Sequence, residues 1–155
     1  MPNRQKGFSL IELLIVVAII LIIAAIAIPN LLRSKIAANQ ASAVGSLRTL
    51  NTACIAYSTS YGQYPAALTN LGPIGASGTA SSTSADLIDS VLAGGVKSGY
   101  TFAYAAGSGN QSYSITATPI TVGTTGQSMY YTDQSGVIRV NTTGSGANAS
   151  STPIG

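Results

Sequence analysis

From Phe8 to Ile28 the chain is apolar at every position except Ser9 and Glu12. At a rise of ~1.5 Å per residue, such a run makes about 31 Å of helix, which matches a bilayer hydrocarbon core of ~30 Å. A polar, basic stretch, residues 1–7, precedes it and carries Arg4 and Lys6. The run therefore predicts a membrane-spanning helix. The rest of a 155-residue chain has room for one modest globular head and not for two independent cores.

Three readings of this N-terminal segment compete. The first is a cleaved secretory signal, with Arg4 and Lys6 as its basic region and Ala25-Ile26-Ala27 as a small-x-small cleavage site. The apolar run is longer than the ~7–15 residues usual for such a signal, and a carboxylate inside it would serve no purpose. The second is a permanent signal anchor, and the third is a short leader removed ahead of a retained helix. Flanking charge does little to orient the span, because Arg33 and Lys35 on one side match Arg4 and Lys6 on the other. The Met1 amine and the shortness of the leader favour an N-terminus on the cytoplasmic side.

Pro29 follows the span directly, and a proline inside a helix removes a hydrogen bond and crowds the carbonyl four residues back, here that of Ala25. It either kinks one long helix or ends the first. Ile36, Ala43, Leu47, Leu50, Cys54, Tyr57 and Tyr61 then recur at mostly three- or four-residue spacing among polar residues, which predicts a kinked, amphipathic continuation through 29–61. Residues 62–99 are rich in Gly, Pro, Ser and Thr and read as a loop. One short helix interrupts it, capped by Ser84, with Asp86 in its first turn, Leu87, Ile88, Val91 and Leu92 as its buried stripe and Gly94-Gly95 as its stop.

Residues 100–141 read as antiparallel strands. Tyr100, Phe102 and Tyr104 alternate with smaller residues, as do Tyr113, Ile115 and Ala117 after the turn at 107–110. Met129 to Thr132 joins Val137 to Val140 through the turn at 133–136. Residues 142–155 form a polar, loosely held tail. The predicted fold class is α+β: a long kinked N-terminal helix, first an apolar stalk and then an amphipathic half, packed on a small antiparallel sheet.

Several chemistries find little support in the residues. Seven basic side chains stand against four acidic ones, for a thinly spread net charge of +3, without the clustering that nucleic acid would require. There is no histidine, so a Ser-His or Cys-His nucleophile cannot be assembled, and Lys97 beside Ser98 reads as a turn before a strand. An enzyme is not expected. Asp133-Gln134-Ser135-Gly136 offers one carboxylate where a calcium loop needs several. Asp86 and Asp89 could reach a shared ion from one helix face, although the helix start accounts for Asp86 without one. No metal site and no cofactor are predicted. The lone Cys54 reads as a small buried hydrophobe and the eight tyrosines as core. The triplets at Asn110, Asn141 and Asn148 match a glycosylation pattern that arises readily in Ser/Thr-rich chains.

Glu12 is harder to explain by packing, because a carboxylate at mid-bilayer costs ~2.5–3.5 kcal/mol and such groups are usually paired. A cut after Gly7 would create an amine at Phe8, a positive charge able to partner a carboxylate on a neighbouring copy. Lys6-Gly7-Phe8-Ser9-Leu10-Ile11-Glu12 ahead of an apolar helix resembles the class III signal of type IV prepilins and pseudopilins.

The resemblance implies cleavage by prepilin peptidase between Gly7 and Phe8, N-methylation of Phe8, a role for Glu12 in subunit assembly, and Pro29 as the helix-kinking proline. It is strong over the first third of the chain. Farther on, the residues from Tyr64 to Leu68 and from Gly99 to Val140 look like the heads of disulfide-free pilins. With a single cysteine, the chain lacks the C-terminal cysteine pair of many pilins. The implied function is a structural subunit of a type IV pilus, a helical filament of many copies that serves adhesion, motility or DNA uptake. The implied partners are further copies, prepilin peptidase, the inner membrane before assembly and the pilus assembly machinery. A pseudopilin of a type II secretion system is the alternative, and a secreted binding module with an ordinary signal is a third reading.

Overall fold

The computed structural model describes residues 7–75 and 78–154. Arg4 and Lys6 lie outside the described residues. The chain divides between Lys35 and Ile36 into two compact units, and helix α1, Leu10–Tyr61, contributes to both. The helix does not end at Pro29 but carries it inside.

In the first unit, the stretch of α1 from Leu13 to Ile28 is apolar all round. Leu10, Leu21, Ile26 and Leu31 are each well over half exposed.

In the second unit the helix reverses this pattern. Ala43, Leu47, Leu50, Cys54 and Tyr57 repeat at three or four residues and are buried on one stripe. After α1, Leu68–Leu71 forms a 3-10 turn, α2 runs Ser90–Ala93, and a sheet follows. Its strands are β1 Val96–Lys97, β2 Tyr100–Ala106, β3 Tyr113–Pro119, β4 Met129–Asp133, β5 Arg139–Asn141 and β6 Thr152–Pro153. All neighbours are antiparallel, in sequence order.

Alternation places Tyr100, Phe102, Tyr113, Ile115, Ala117, Tyr130 and Thr132 on the inner face against the α1 stripe. Leu68, Leu71, Ile88 and Leu92 close the remaining side. Each fully buried Leu or Ile contributes about 1.5–3 kcal/mol, so this cluster, and not the first half of α1, holds the head together.

Three expectations are corrected. The short helix starts at Ser90 and not after Ser84. Asp89 caps it by accepting from Leu92 N at 2.6 Å. Ser84 instead donates to Pro73 O at 2.7 Å, Asp86 sits in a left-handed turn at φ 56°, and Leu87 and Val91 are exposed. The cap falls on Asp89 and not on Ser84, because the chain at 85–88 is drawn into hydrogen bonds with Asn70, Leu71 and Gly72.

The second hairpin is also shifted. Met129 pairs with Asn141 and Tyr131 with Arg139, so Val137 and Ile138 belong to the turn. The third correction concerns the tail, which is tied down. Thr152–Pro153 pairs with β5, Ile154 N donates to Ile138 O, and Arg139 donates to Ser151 O.

Candidate functional site at the start of the long helix

Gly7, Phe8 and Ser9 have no regular structure, and α1 begins at Leu10. The peptide bond between Gly7 and Phe8 thus lies outside the helical hydrogen-bond ladder, where backbone can be reached. Among the described residues, a side chain added at Gly7 would meet nothing within 4 Å.

Glu12 stands in the first turn, the end of a helix at which its dipole favours a negative charge. One oxygen, Oε2, accepts from Ser9 N at 3.0 Å. This is half of a capping box, in which the residue three places into the helix satisfies the backbone N–H of the capping residue. Among the described residues the other oxygen, Oε1, accepts no hydrogen bond. Ser9 was not singled out from the sequence, yet the Ser-x-x-Glu spacing was the signal that could have found it.

Elsewhere the considered chemistry is not assembled. Lys97 Nζ pairs with Asp89 Oδ2 at 2.8 Å, and Ser98 Oγ accepts from Ser42 at 2.9 Å, so lysine and serine face different partners. Asp89 is engaged by Leu92 N and Lys97, and Asp86 is not on the helix, which removes their common face. Cys54 is fully buried, and burial pushes its thiol up to about 12, which keeps it protonated at neutral pH. Asn141 and Asn148 use their side chains to hold local turns.

Helix α1 is long and apolar enough to cross a membrane, carries one carboxylate at its start, and packs its second half into a compact α+β head. Residues 2–28 match the prokaryotic N-terminal methylation motif. The chain is 54% identical over 50 residues to the type IV major pilin protein PilA of Myxococcus xanthus, covering 32% of this chain and 23% of the relative. It is 41% identical over 100 residues to the type IV major fimbrial protein FimA of Dichelobacter nodosus, covering 62% of each. It is 31% identical over 74 residues to the type II secretion system core protein G of Dickeya chrysanthemi, covering 48% of each.

In all three the matched stretch is less than two thirds of the relative's own length. No solved structure matches. The motif, these relatives and the long helix packed on an antiparallel sheet place the chain in the type IV pilin and pseudopilin superfamily. That superfamily consists of structural subunits and not enzymes.

Proposed function

We propose that this chain is a structural subunit of a type IV pilus, inserted first in the inner membrane with its N-terminus in the cytoplasm and then assembled into an extracellular helical filament. Prepilin peptidase removes residues 1–7 by cutting between Gly7 and Phe8, and the new Phe8 amine is N-methylated. Glu12 Oε1 then takes the Phe8 amine of a neighbouring copy, while Oε2 stays on its own helix start. Pro29 bends the helix between its apolar and amphipathic halves.

The observation that carries this reading is the first half of α1. Its most apolar stretch is entirely unburied and contains one carboxylate, so it requires lipid before assembly and other apolar helices afterwards. A heterologous contact that does not close generates a filament. The named relatives support the same reading, since two of the three are described as major pilin or fimbrial proteins.

Mass spectrometry of the mature N-terminus tests it, with methylated Phe8 expected; a start at Ile28 would instead establish ordinary secretory cleavage. Glu12→Ala should be cleaved normally and lose filament yield, and normal yield would remove the pairing argument. The pseudopilin alternative is favoured by the relatives described as type II secretion system core protein G. It predicts a chain required for protein export, whereas the pilus reading predicts filaments outside the cell by electron microscopy.

A further inference from the structure

The outer face of the sheet carries a depression apart from the exposed apolar half of α1. Register places Ala105, Ser114 and Asp133 in one row across β2, β3 and β4, and Ala103, Thr116, Tyr131 and Arg139 in the next row. These residues alternate with the buried Phe102, Tyr113, Ile115, Tyr130 and Thr132, so they face away from the core. The small side chains on β2 and β3 leave a step below the taller Tyr131. A depression of about 230 Å³ results, lined by Ala105, Ser112, Ser114, Tyr131, Asp133 and Gln134 among others.

Among its polar groups the Asp133 carboxylate is held in place. Asp133 Oδ1 accepts from Ser135 N at 2.9 Å, which fixes the carboxylate beside the Tyr131 phenol. Burial works against ionisation of Asp133, but hydrogen bonds from Ser135 and the Tyr131 phenol, with the charge of Arg139, outweigh it and hold the carboxyl below its ordinary range. The group is therefore an acceptor at neutral pH. Gln134 and Ser135 are exposed, while Ser112, Ser114 and Tyr131 are half-buried.

We propose that this depression binds one ring of a neutral carbohydrate, with Asp133 accepting from adjacent sugar hydroxyls, Gln134 and the Ser112 and Ser114 hydroxyls completing the hydrogen bonds, and Tyr131 covering the C–H face. A lone carboxylate with hydroxyl and amide neighbours suits a diol, because each acceptor or donor finds a complement. An aromatic ring with an apolar body and polar tip suits the mixed surface of a sugar. An anion is repelled by Asp133. A bare cation gains little, because Arg139 stands beside Tyr131 and no second carboxylate lines the depression.

The test is saturation-transfer NMR on the full chain in a phosphocholine detergent, since a maltoside would itself supply the ligand. The probes are the methyl glycosides of galactose, mannose, fucose and N-acetylglucosamine at millimolar concentration, with methylammonium as the competing cation. Transfer to the ring protons of at least one glycoside is expected, with affinity reduced about tenfold or more by Asp133→Asn, which keeps the Ser135 hydrogen bond. Ala105→Leu fills the depression without touching a polar partner and should abolish transfer, while the near-ultraviolet dichroism of the tyrosines remains. Lys97→Met, remote from the depression, should leave transfer unchanged. The proposal is overturned if no glycoside shows transfer, if Asp133→Asn and Ala105→Leu bind as well as the parent, or if methylammonium displaces every glycoside that binds. None of these outcomes depends on whether the chain forms filaments.

Discussion

The two halves of α1 are equally helical and oppositely used. Leu21 is 63% exposed and Leu50 is 0% exposed, although both are leucines in the same continuous helix. In the first half apolar residues surround the helix, so no rotation could hide them within one chain. In the second half they occupy one stripe, and the sheet covers it. Helix formation therefore says little about what each half needs. The first half stays exposed, and the second is completed by residues that follow it in sequence.

The largest expected effect comes from base. Burial raises Cys54 from 9.0 to about 12 and Tyr100 from 10.0 to about 12, and it also raises Tyr104 and Tyr113. These groups are neutral when protonated, and their folded values lie above their unfolded ones. Their contribution is complete below about pH 9 and is lost as pH rises towards 12, where the unfolded chain binds fewer protons than the folded one. Near-ultraviolet dichroism should show the head unfolding across that window. The stalk has no tyrosine or cysteine between Phe8 and Lys35, so its helical far-ultraviolet signal in detergent should outlast the head. Parallel loss of both signals would show that the halves are not independent.

Leucine truncation breaks the comparison at single residues. Leu50→Ala removes a fully buried side chain and should destabilise the head by about 2–5 kcal/mol. Leu21→Ala should shift head stability by less than about 0.5 kcal/mol. Urea midpoints in detergent, read on the tyrosines, check both. If Leu21→Ala weakens filaments while leaving the urea midpoint in place, the division of labour is sharpened.

Much of this contrast could be read from the residues, and the reason differs from place to place. The Phe8 to Ile28 run, the Ala43 to Tyr57 period and the alternation at 100–104 and 113–117 are local patterns, and each became the predicted element. The motif from Gly7 to Glu12 was legible for the same reason, since its groups are neighbours in sequence. Asn51 was not. It stands among the polar residues between the apolar positions of α1, but it is buried. Its amide donates to Thr132 Oγ1 at 2.9 Å and its Oδ1 accepts from Tyr113 Oη at 3.0 Å. Those partners lie far along the chain, and no local pattern encodes them. The two-residue strands β1 and β6 were missed similarly, because pairing with an existing edge defines them and not a run of their own.

Asn51 supplies the third prediction. Asn51→Ala leaves the Tyr113 and Thr132 hydroxyls buried without this partner, and each unsatisfied group costs about 1–3 kcal/mol. The urea midpoint should fall by an amount comparable to that for Leu50→Ala. Asn51→Leu restores volume but not partners and should recover only part of the loss. Full recovery would mean that the network is spare and that packing alone joins helix to sheet.

The smallest effect separates two roles of one surface carboxylate. Asp89 both caps α2 through Leu92 N and pairs with Lys97, and its hydrogen bond with Lys97 is the main cause holding its carboxyl below the ordinary range. The pair is largely exposed, with side chains 34% and 51% accessible for Lys97 and Asp89, so solvent and salt screen it. Lys97→Met should therefore change head stability by less than about 1 kcal/mol, and less still at high salt. Asp89→Ala loses the cap as well and should cost about 1 kcal/mol more than Lys97→Met, with little dependence on salt. Equal losses from the two variants would assign the stabilisation to the ion pair. A larger, salt-insensitive loss from Asp89→Ala would show that the loop before the sheet is pinned by backbone capping, the same short-range device that Glu12 applies at the start of the stalk.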